Sequence, residues 1–199
     1  VLRVDVNDDG TLSVLDKRSR RAYERVAELE SLGDVGDEYN FSSPGLDRRV
    51  TSRDVRDVNV SVVAAGPLRG TLRIESTLEI PRQATDDRKS RSAETISVLL
   101  VLEVDVDLGS PVVGFRLRVD NRACDHRLRV LLPTGAESVR ESRADSAFGV
   151  ITRPVQKPVP PGPLVERPVN TAPLQSFGDA GDAAVGATVL SEGLMEYEV

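Results

Sequence analysis

The sequence has very few of the residues from which catalytic and metal sites are most often built. Among 199 residues it contains one Cys, one His, one Met and no Trp. Cys124 has no second thiol for an internal disulfide, and one Cys with one His is too few for a zinc or iron–sulfur site built by this chain alone. His126 is the only candidate base for a Ser–His–Asp triad or for a Cys124–His126 dyad, and the dyad lacks a recognisable nucleophile context. The sequence therefore does not favour catalysis by this chain.

Other absences narrow the range of partners. No apolar run approaches the roughly 18 residues that cross a membrane. The formal net charge of -6 gives a nucleic-acid partner no electrostatic support. Aromatic residues make up 4% of the chain, and Phe115 and Phe148 occupy strand positions predicted to face inward, which leaves little surface for stacking a sugar ring. Because the chain begins at Val1 without an initiator Met or a signal peptide, we expect a piece of a longer protein.

What the sequence does have is an alternation of apolar and polar residues with a period of two, which is typical of half-buried strands. Leu2, Val4 and Val6 alternate with polar residues, a turn is predicted at residues 7–10, and the alternation resumes at Leu12, so the chain opens with a hairpin. Further strands are predicted at residues 58–64, 70–80, 95–108, 115–119, 128–132, 147–152, 174–178 and 186–190. The third, fourth and fifth of these are predicted to pair as a meander. The fold class is therefore all-β, an antiparallel β-sandwich.

Some segments depart from this alternation. Residues 21–32 look helical, although residues 23–26 would equally continue the first hairpin. Residues 98–102 are apolar on both faces of their strand, so we expect that part of the strand to be covered on both sides. Long loops are predicted at residues 33–56, 81–92 and 153–173. The last of these is rich in proline and is interpreted as an extended crossing between sheets or, less favoured, as a PxxP ligand for proline-reading domains.

The first turn also matches part of a calcium-loop pattern. Asp5, Asn7, Asp9 and Gly10 have the spacing of an EF-hand loop, with Asp16 at its twelfth position. An EF-hand needs flanking helices, whereas both flanks here alternate with a period of two. The pattern therefore favours a hairpin turn, in which Asn, Asp and Gly adopt backbone angles that other residues avoid.

The run GDVGDEYNF at residues 33–41 is the most informative loop. It combines glycines, carboxylates and two aromatic side chains, and functional residues are concentrated on loops that a rigid scaffold holds in place. Composition alone favours a solvated acidic loop, because charged loops are usually just surface.

Four segments, in this order along the chain, resemble the C-terminal β region of glycoside hydrolase family 38, the α-mannosidases. They are NDDGTLSV followed by DK at residues 7–17, GDVGDEYNFS at 33–42, DNRA with DHRLRVL and PT at 120–134, and EGL with EYEV at 192–199. The second is similar to the Gly-Asp-Glu-Tyr loop of the bacterial members of the family.

The resemblance implies a fold and a division of labour. Residues 1–199 are expected to form a β-sandwich of the supersandwich, galactose-mutarotase-like kind, as a fragment of a multidomain enzyme whose catalytic barrel this chain lacks. The parent enzyme is expected to be a retaining α-mannosidase that hydrolyses terminal α-mannosides, with a divalent metal, zinc, held in its barrel. The chain itself is expected to be inactive, to hold no cofactor, to brace the barrel, to line the substrate cleft and to support contacts between identical subunits. A bacterial cytoplasmic location is expected.

The resemblance also implies site residues. Tyr39 matches a family tyrosine that hydrogen-bonds to the bound sugar, and Asp37 is the second candidate. No catalytic or metal-ligating residue is expected in this chain, and His126 and Cys124 are expected to be structural, with His126 orienting a turn. The alternative that remains open is a stand-alone carbohydrate-binding or structural β-sandwich module.

Overall fold

A computed structural model describes residues 1–37, 39, 41–155 and 171–199. These residues form antiparallel sheets joined by turns and loops, and the helical structure among them is a single 3-10 turn, Ser52–Asp54. None of the helical structure in this described part is long and apolar enough to cross a membrane. The chain divides into two compact units, residues 1–132 and residues 133–199. The prediction that residues 1–199 act as one domain stays a prediction.

The strands of the first unit are β1 (Leu2–Val6), β2 (Leu12–Asp16), β3 (Arg21–Val26), β4 (Glu28–Gly33), β5 (Val50–Thr51), β6 (Arg56–Ala65), β7 (Arg69–Pro81), β8 (Thr95–Asp107), β9 (Val113–Val119) and β10 (His126–Leu131). The strands of the second unit are β11 (Glu141–Ser146), β12 (Gly149–Pro154), β13 (Ala172–Pro173), β14 (Phe177–Gly181), β15 (Gly186–Leu190) and β16 (Glu196–Tyr197).

The first unit is a sandwich whose one layer is a four-stranded sheet in the order β6-β7-β8-β9. The other layer consists of two three-stranded sheets, in the orders β1-β2-β3 and β10-β4-β5. One core cluster joins Leu12 and Val14 of β2 to Ile74 of β7. A second joins Leu29 of β4 to Leu78 and other residues of the four-stranded sheet. The two smaller sheets therefore pack against different parts of the same large sheet.

Alternation along β7 explains this packing. Ile74, Leu78 and Ile80 are almost completely buried, and the alternate positions 75, 77 and 79 point to the opposite face. Fully burying such a side chain stabilises the fold by about 1.5–3 kcal/mol. The predicted all-β sandwich is confirmed for this unit.

The opening hairpin is also confirmed. β1 and β2 pair from Leu2 opposite Asp16 to Val6 opposite Leu12, and Gly10 turns the chain with a φ of 77°. The Asp9 carboxylate accepts hydrogen bonds from the backbone and hydroxyl of Thr11 and from Arg25. Partial burial raises the pKa of Asp9, but these hydrogen bonds outweigh it and the net pKa is lowered. The carboxylate is thus engaged in holding the turn, as the hairpin interpretation requires.

The segment with a helical appearance, residues 21–32, forms strands instead. β3 continues the first hairpin, and β4 belongs to the neighbouring sheet. Arg25 and Ala27 adopt left-handed backbone angles, with φ of 59° and 62°, where the chain leaves one sheet for the other. β3 pairs with β2, and β4 pairs with β10 on one side and β5 on the other; this pairing outweighs the weak local preference for helix.

Two details of the predicted strand pattern are wrong. The expected meander ends at β9, because β10 pairs with β4 and not with β9. Within residues 98–102 the strand is covered on both faces only from Leu100 to Leu102, since Leu99 is 50% exposed. In both cases a distant segment decides which face is covered, and no local pattern reports it.

The second unit has a four-stranded sheet in the order β12-β11-β14-β15 and a two-stranded sheet, β13-β16. Most of its buried positions are small, including Ala144, Gly178 and Ala180, and Leu174 is a larger buried side chain. The ring of Tyr197 covers Gly178, and its hydroxyl lies 3.0 Å from the hydroxyl of Ser142. The bare glycine and the alanines leave room for one large aromatic ring.

The sequence located the strands of this unit only in part. β15 coincides with the predicted strand, β12 and β14 begin two or three residues later than predicted, and β11 was missed. The proline-rich segment is described only at its ends, where residues 153–154 complete β12 and residues 172–173 form β13. Both interpretations of residues 158–163 lie outside the described residues.

Candidate functional site

The loop that carries the two predicted site residues follows β4 and spans residues 34–49; we call it the tyrosine loop. Tyr39 is 78% exposed, and Asp37 is also exposed. The Oδ1 atom of Asp37 accepts a hydrogen bond of 2.9 Å from the backbone N–H of Tyr39. The structure therefore brings the two residues together, with one oxygen of Asp37 turned toward the backbone of the tyrosine.

Asp34 closes the loop on both sides of Tyr39. Its Oδ1 atom accepts hydrogen bonds of 3.0 Å from the backbone N–H groups of Gly36 and Ser42. The backbone N–H of Val35 donates to the carbonyl of Ser42 at 2.8 Å. The two arms of the loop are therefore joined to each other at the foot of the loop.

Two arginines from neighbouring segments hold the arms from outside. The Nη2 atom of Arg88 donates to the carbonyl of Val35 at 2.8 Å. The guanidinium of Arg127, on β10, lies 3.6 Å from the centre of the Phe41 ring, a cation–π contact. One aromatic of the GDVGDEYNF run thus fastens the loop to the sandwich, while the other is left exposed.

A buried ion pair lies beneath the loop. Asp47 and Arg91 have side chains that are 8% and 2% exposed, and Nε of Arg91 lies 2.7 Å from Oδ1 of Asp47. The other oxygen of Asp47 accepts a hydrogen bond of 2.8 Å from the backbone N–H of Gly33. Arg91 also donates to the hydroxyl and the carbonyl of Ser31 and to the carbonyl of Arg48. Buried charges are tolerated when they are paired and fully hydrogen-bonded, as these are.

His126 extends this cluster, and the hydrogen bonds define its tautomer. Oδ1 of Asn121 accepts from the backbone N–H of Ala123 at 3.2 Å and lies 3.0 Å from Nε2 of His126, so we assign the proton to Nε2. Nδ1 then accepts from the hydroxyl of Ser31 at 2.9 Å. Burial, followed by the charge of Arg91, lowers the pKa of His126 below its usual value of 6.5. The ring is therefore a neutral link between the loop base and the turn at residues 120–125.

This arrangement decides between the two interpretations of the lone histidine. Both ring nitrogens are hydrogen-bonded, one to Ser31 and the other to Asn121. Neither nitrogen is therefore placed to act as a base for Cys124. Cys124 is exposed, and its backbone N–H donates to the carbonyl of Arg82 at 2.8 Å. The expectation that His126 orients a turn agrees with these contacts.

The sequence missed the residues of the base and misjudged two aromatics. Ser31, Asp47 and Arg91 carry no motif that distinguishes them from surface charges and hydroxyls, and their side-chain partners are distant in the chain. Phe115 and Phe148, predicted to face inward, are 41% and fully exposed. Phe148 occupies the tip of the β11–β12 hairpin, where no second layer covers it among the described residues.

The described residues offer no cluster of three or more His, Cys, Asp or Glu side chains that would hold a metal ion.

Comparison with known proteins identifies the family. The sequence profile of the glycosyl hydrolases family 38 C-terminal domain matches residues 1–199. The chain belongs to this family. The resemblance seen in the four sequence segments is thereby confirmed over the whole chain.

Individual relatives agree with this family. The chain is 28% identical over 213 residues to a protein of Halalkalibacterium halodurans named "Putative mannosylglycerate hydrolase", in a match that spans 100% of this chain and 23% of that protein. Its structure is similar to that of an alpha-mannosidase from Enterococcus faecalis V583, with a TM-score of 0.88, 28% identity, and coverage of 100% of this chain and 23% of the other.

A second structure, of a family 38 glycosyl hydrolase protein from Enterococcus faecalis, has a TM-score of 0.86 and 27% identity, and its match covers 100% of this chain and 24% of the other. The chain thus spans less than a quarter of the length of each of these relatives.

Proposed function

We propose that this chain is the non-catalytic β domain of a retaining glycosidase that releases terminal α-linked mannose, and that Tyr39 contacts the sugar. The observation that carries the proposal is the family match over residues 1–199, together with relatives more than four times as long as the match. The chemistry is assigned to a catalytic barrel elsewhere in the parent protein.

In this proposal the sandwich braces that barrel and the tyrosine loop lines one side of the substrate cleft. A tyrosine suits the contact because its ring offers an apolar face to the sugar and its hydroxyl donates or accepts a hydrogen bond. Tyr39 is exposed on a loop whose two arms are hydrogen-bonded to Asp34 at the foot. Its side chain is therefore accessible to a surface that packs against the loop. Asp37 supports the same loop and is the second candidate for contact.

The first test is enzymatic and uses the full-length protein. It is expected to hydrolyse an aryl α-mannoside with retention of the anomeric configuration, and to lose that activity when a chelator removes the barrel's divalent metal, proposed to be zinc. The chain of residues 1–199 alone is expected to be inactive. Hydrolysis by the isolated chain would contradict the proposal.

The printed name of one relative favours a second substrate. Because that protein is called a mannosylglycerate hydrolase, mannosylglycerate is the alternative substrate for the parent enzyme. A side-by-side comparison of kcat/KM on mannosylglycerate and on an aryl α-mannoside separates the two substrates.

Tyr39→Phe in the full-length protein tests the contact itself. Removing one neutral hydrogen bond of about 0.5–1.5 kcal/mol is expected to lower kcat/KM by roughly 2- to 12-fold. Tyr23→Phe, which removes the same hydroxyl on β3, is the matched control and is expected to leave kcat/KM unchanged. Equal kcat/KM for Tyr39→Phe and wild type would remove Tyr39 from the site.

Three further parts of the proposal concern the setting. The alternative is a separate carbohydrate-binding module, and calorimetry of the isolated chain with mannose or mannobiose tests it; absence of heat counts against it. Contacts between identical subunits of the parent are tested by light scattering. The proposed cytoplasmic location is tested by fractionating the bacterium that produces the protein.

A further inference from the structure

Asp34 occupies a junction at the foot of the tyrosine loop. Its backbone N–H donates to the carbonyl of Asp125 at 2.8 Å, which joins the loop to the segment that leads into β10. Its Oδ1 atom accepts from Gly36 on one arm of the loop and from Ser42 on the other, both at 3.0 Å. One residue therefore links the scaffold to both arms.

The chain between these arms carries Tyr39 at its exposed tip. With the backbone N–H of Val35 also bonded to the carbonyl of Ser42, the two ends of the segment that carries Tyr39 are fixed relative to each other. A short closed loop has far fewer conformations than one that is open at its foot. The direction of the tip is thus set by contacts at its base, and the carboxylate of Asp34 supplies two of them.

We infer that Asp34 is a positioning residue: its carboxylate holds the two arms of the tyrosine loop so that Tyr39 is presented to the sugar in one orientation. This inference rests on the proposed function, in which Tyr39 contacts substrate. Hydrogen bonds from backbone N–H groups to a carboxylate are stronger than those to neutral acceptors, so the charge of Asp34 suits this task.

The test is a double-mutant cycle in the full-length protein, with kcat/KM on the sugar substrate as the readout. Asp34→Ala is expected to lower kcat/KM by roughly 10-fold when Tyr39 is present. In the Tyr39→Phe background the same change is expected to lower it by less than about 2-fold, because a positioning residue has no effect once the group it positions has lost its hydroxyl. Asp34→Asn keeps an acceptor oxygen and is expected to retain more activity than Asp34→Ala.

This cycle separates positioning from a general structural role. Damage to the fold would lower kcat/KM equally in both backgrounds, so additive effects of the two substitutions would overturn the inference. Normal activity of Asp34→Ala beside a weakened Tyr39→Phe would also overturn it. If Asp34→Ala does not fold, the same cycle with Asp34→Asn gives the decision.

The outcome for Tyr39→Phe alone identifies which proposal has failed. If it matches wild type, the tyrosine contact in the proposed function is wrong, and the inference about Asp34 falls with it. Asp16→Ala is the matched control, because Asp16 accepts a backbone N–H from Arg18 in the β2–β3 turn, away from the tyrosine loop. It is expected to change kcat/KM in neither background.

Discussion

The base and the tip of the tyrosine loop are built from opposite chemistry. At the base, Asp47 and Arg91 are charged residues with side chains 8% and 2% exposed. At the tip, Tyr39 is a largely apolar side chain that is 78% exposed. Each is the reverse of what a simple rule of apolar inside and charged outside would place there.

The difference teaches how the loop separates stability from recognition. Charged groups in the base make several directional hydrogen bonds each, which define the path of the backbone more narrowly than non-directional apolar contact would. At the tip the side chain of Tyr39 is largely exposed, so it is available to another surface. Substitutions in the base are therefore expected to change the free energy of unfolding, and substitutions at the tip are expected to change activity.

Asp47→Ala is expected to have the largest effect. It leaves the buried guanidinium of Arg91 without its counterion, and breaking a buried pair in this way costs about 3–5 kcal/mol. Urea unfolding followed by circular dichroism measures the loss. Asp120→Ala is the matched control, because it breaks the exposed pair with Arg122 and is expected to cost only about 0–1 kcal/mol. Similar losses in the free energy of unfolding for the two variants would contradict the expectation that the buried pair at the loop base is more stabilising than an exposed pair.

Gly33→Ala is expected to have the next largest effect. An added Cβ would lie 2.9 Å from Cγ of Pro44 and 3.0 Å from Cδ of Arg91, and Arg91 is too buried to move aside freely. Overpacking of this kind costs about 1–3 kcal/mol. Gly45→Ala, in the adjoining tyrosine loop, serves as the control, because a Cβ added at Gly45 would have no atom within 4 Å. The comparison fails if thermal unfolding places Gly33→Ala and Gly45→Ala at the same midpoint.

His126→Gln is expected to have the smallest effect, visible as a change in pH dependence. In the folded state the pKa of His126 is lowered below 6.5. Below that pH the unfolded chain therefore binds a proton more readily than the folded chain does. The contribution of neutral His126 to the free energy of unfolding is therefore fully present above pH 6.5 and declines as the pH falls toward the lowered pKa of the folded state. Since His126 is the only histidine, His126→Gln should reduce the pH dependence of the free energy of unfolding in this window.

Urea titrations of the wild type and of His126→Gln at a series of pH values measure that slope. Parallel slopes would show that His126 keeps its ordinary pKa, and would remove it from the buried base.

Strands were predictable where the signal is local. The opening hairpin and the long strands β7 and β8 were recognised because alternation reports the face of each residue without reference to any distant segment. In the first unit the failures involve a distant segment: β4 within the helical-looking segment, β10 pairing with β4, and Leu99 left uncovered. The site followed the same division, since a motif located the tyrosine loop and no motif located its base.

By itself the sequence determined the all-β class, the positions of most long strands and the family, because these depend on short-range patterns and on the order of motifs along one chain. The tertiary structure alone decided which polar residues hold the tyrosine loop. Arg91 meets Asp47 across 44 residues, and His126 meets Ser31 across 95. These residue types are ordinary at a protein surface. Beneath the tyrosine loop they are buried, and a buried charge or hydroxyl has to find its hydrogen-bond partner within the protein.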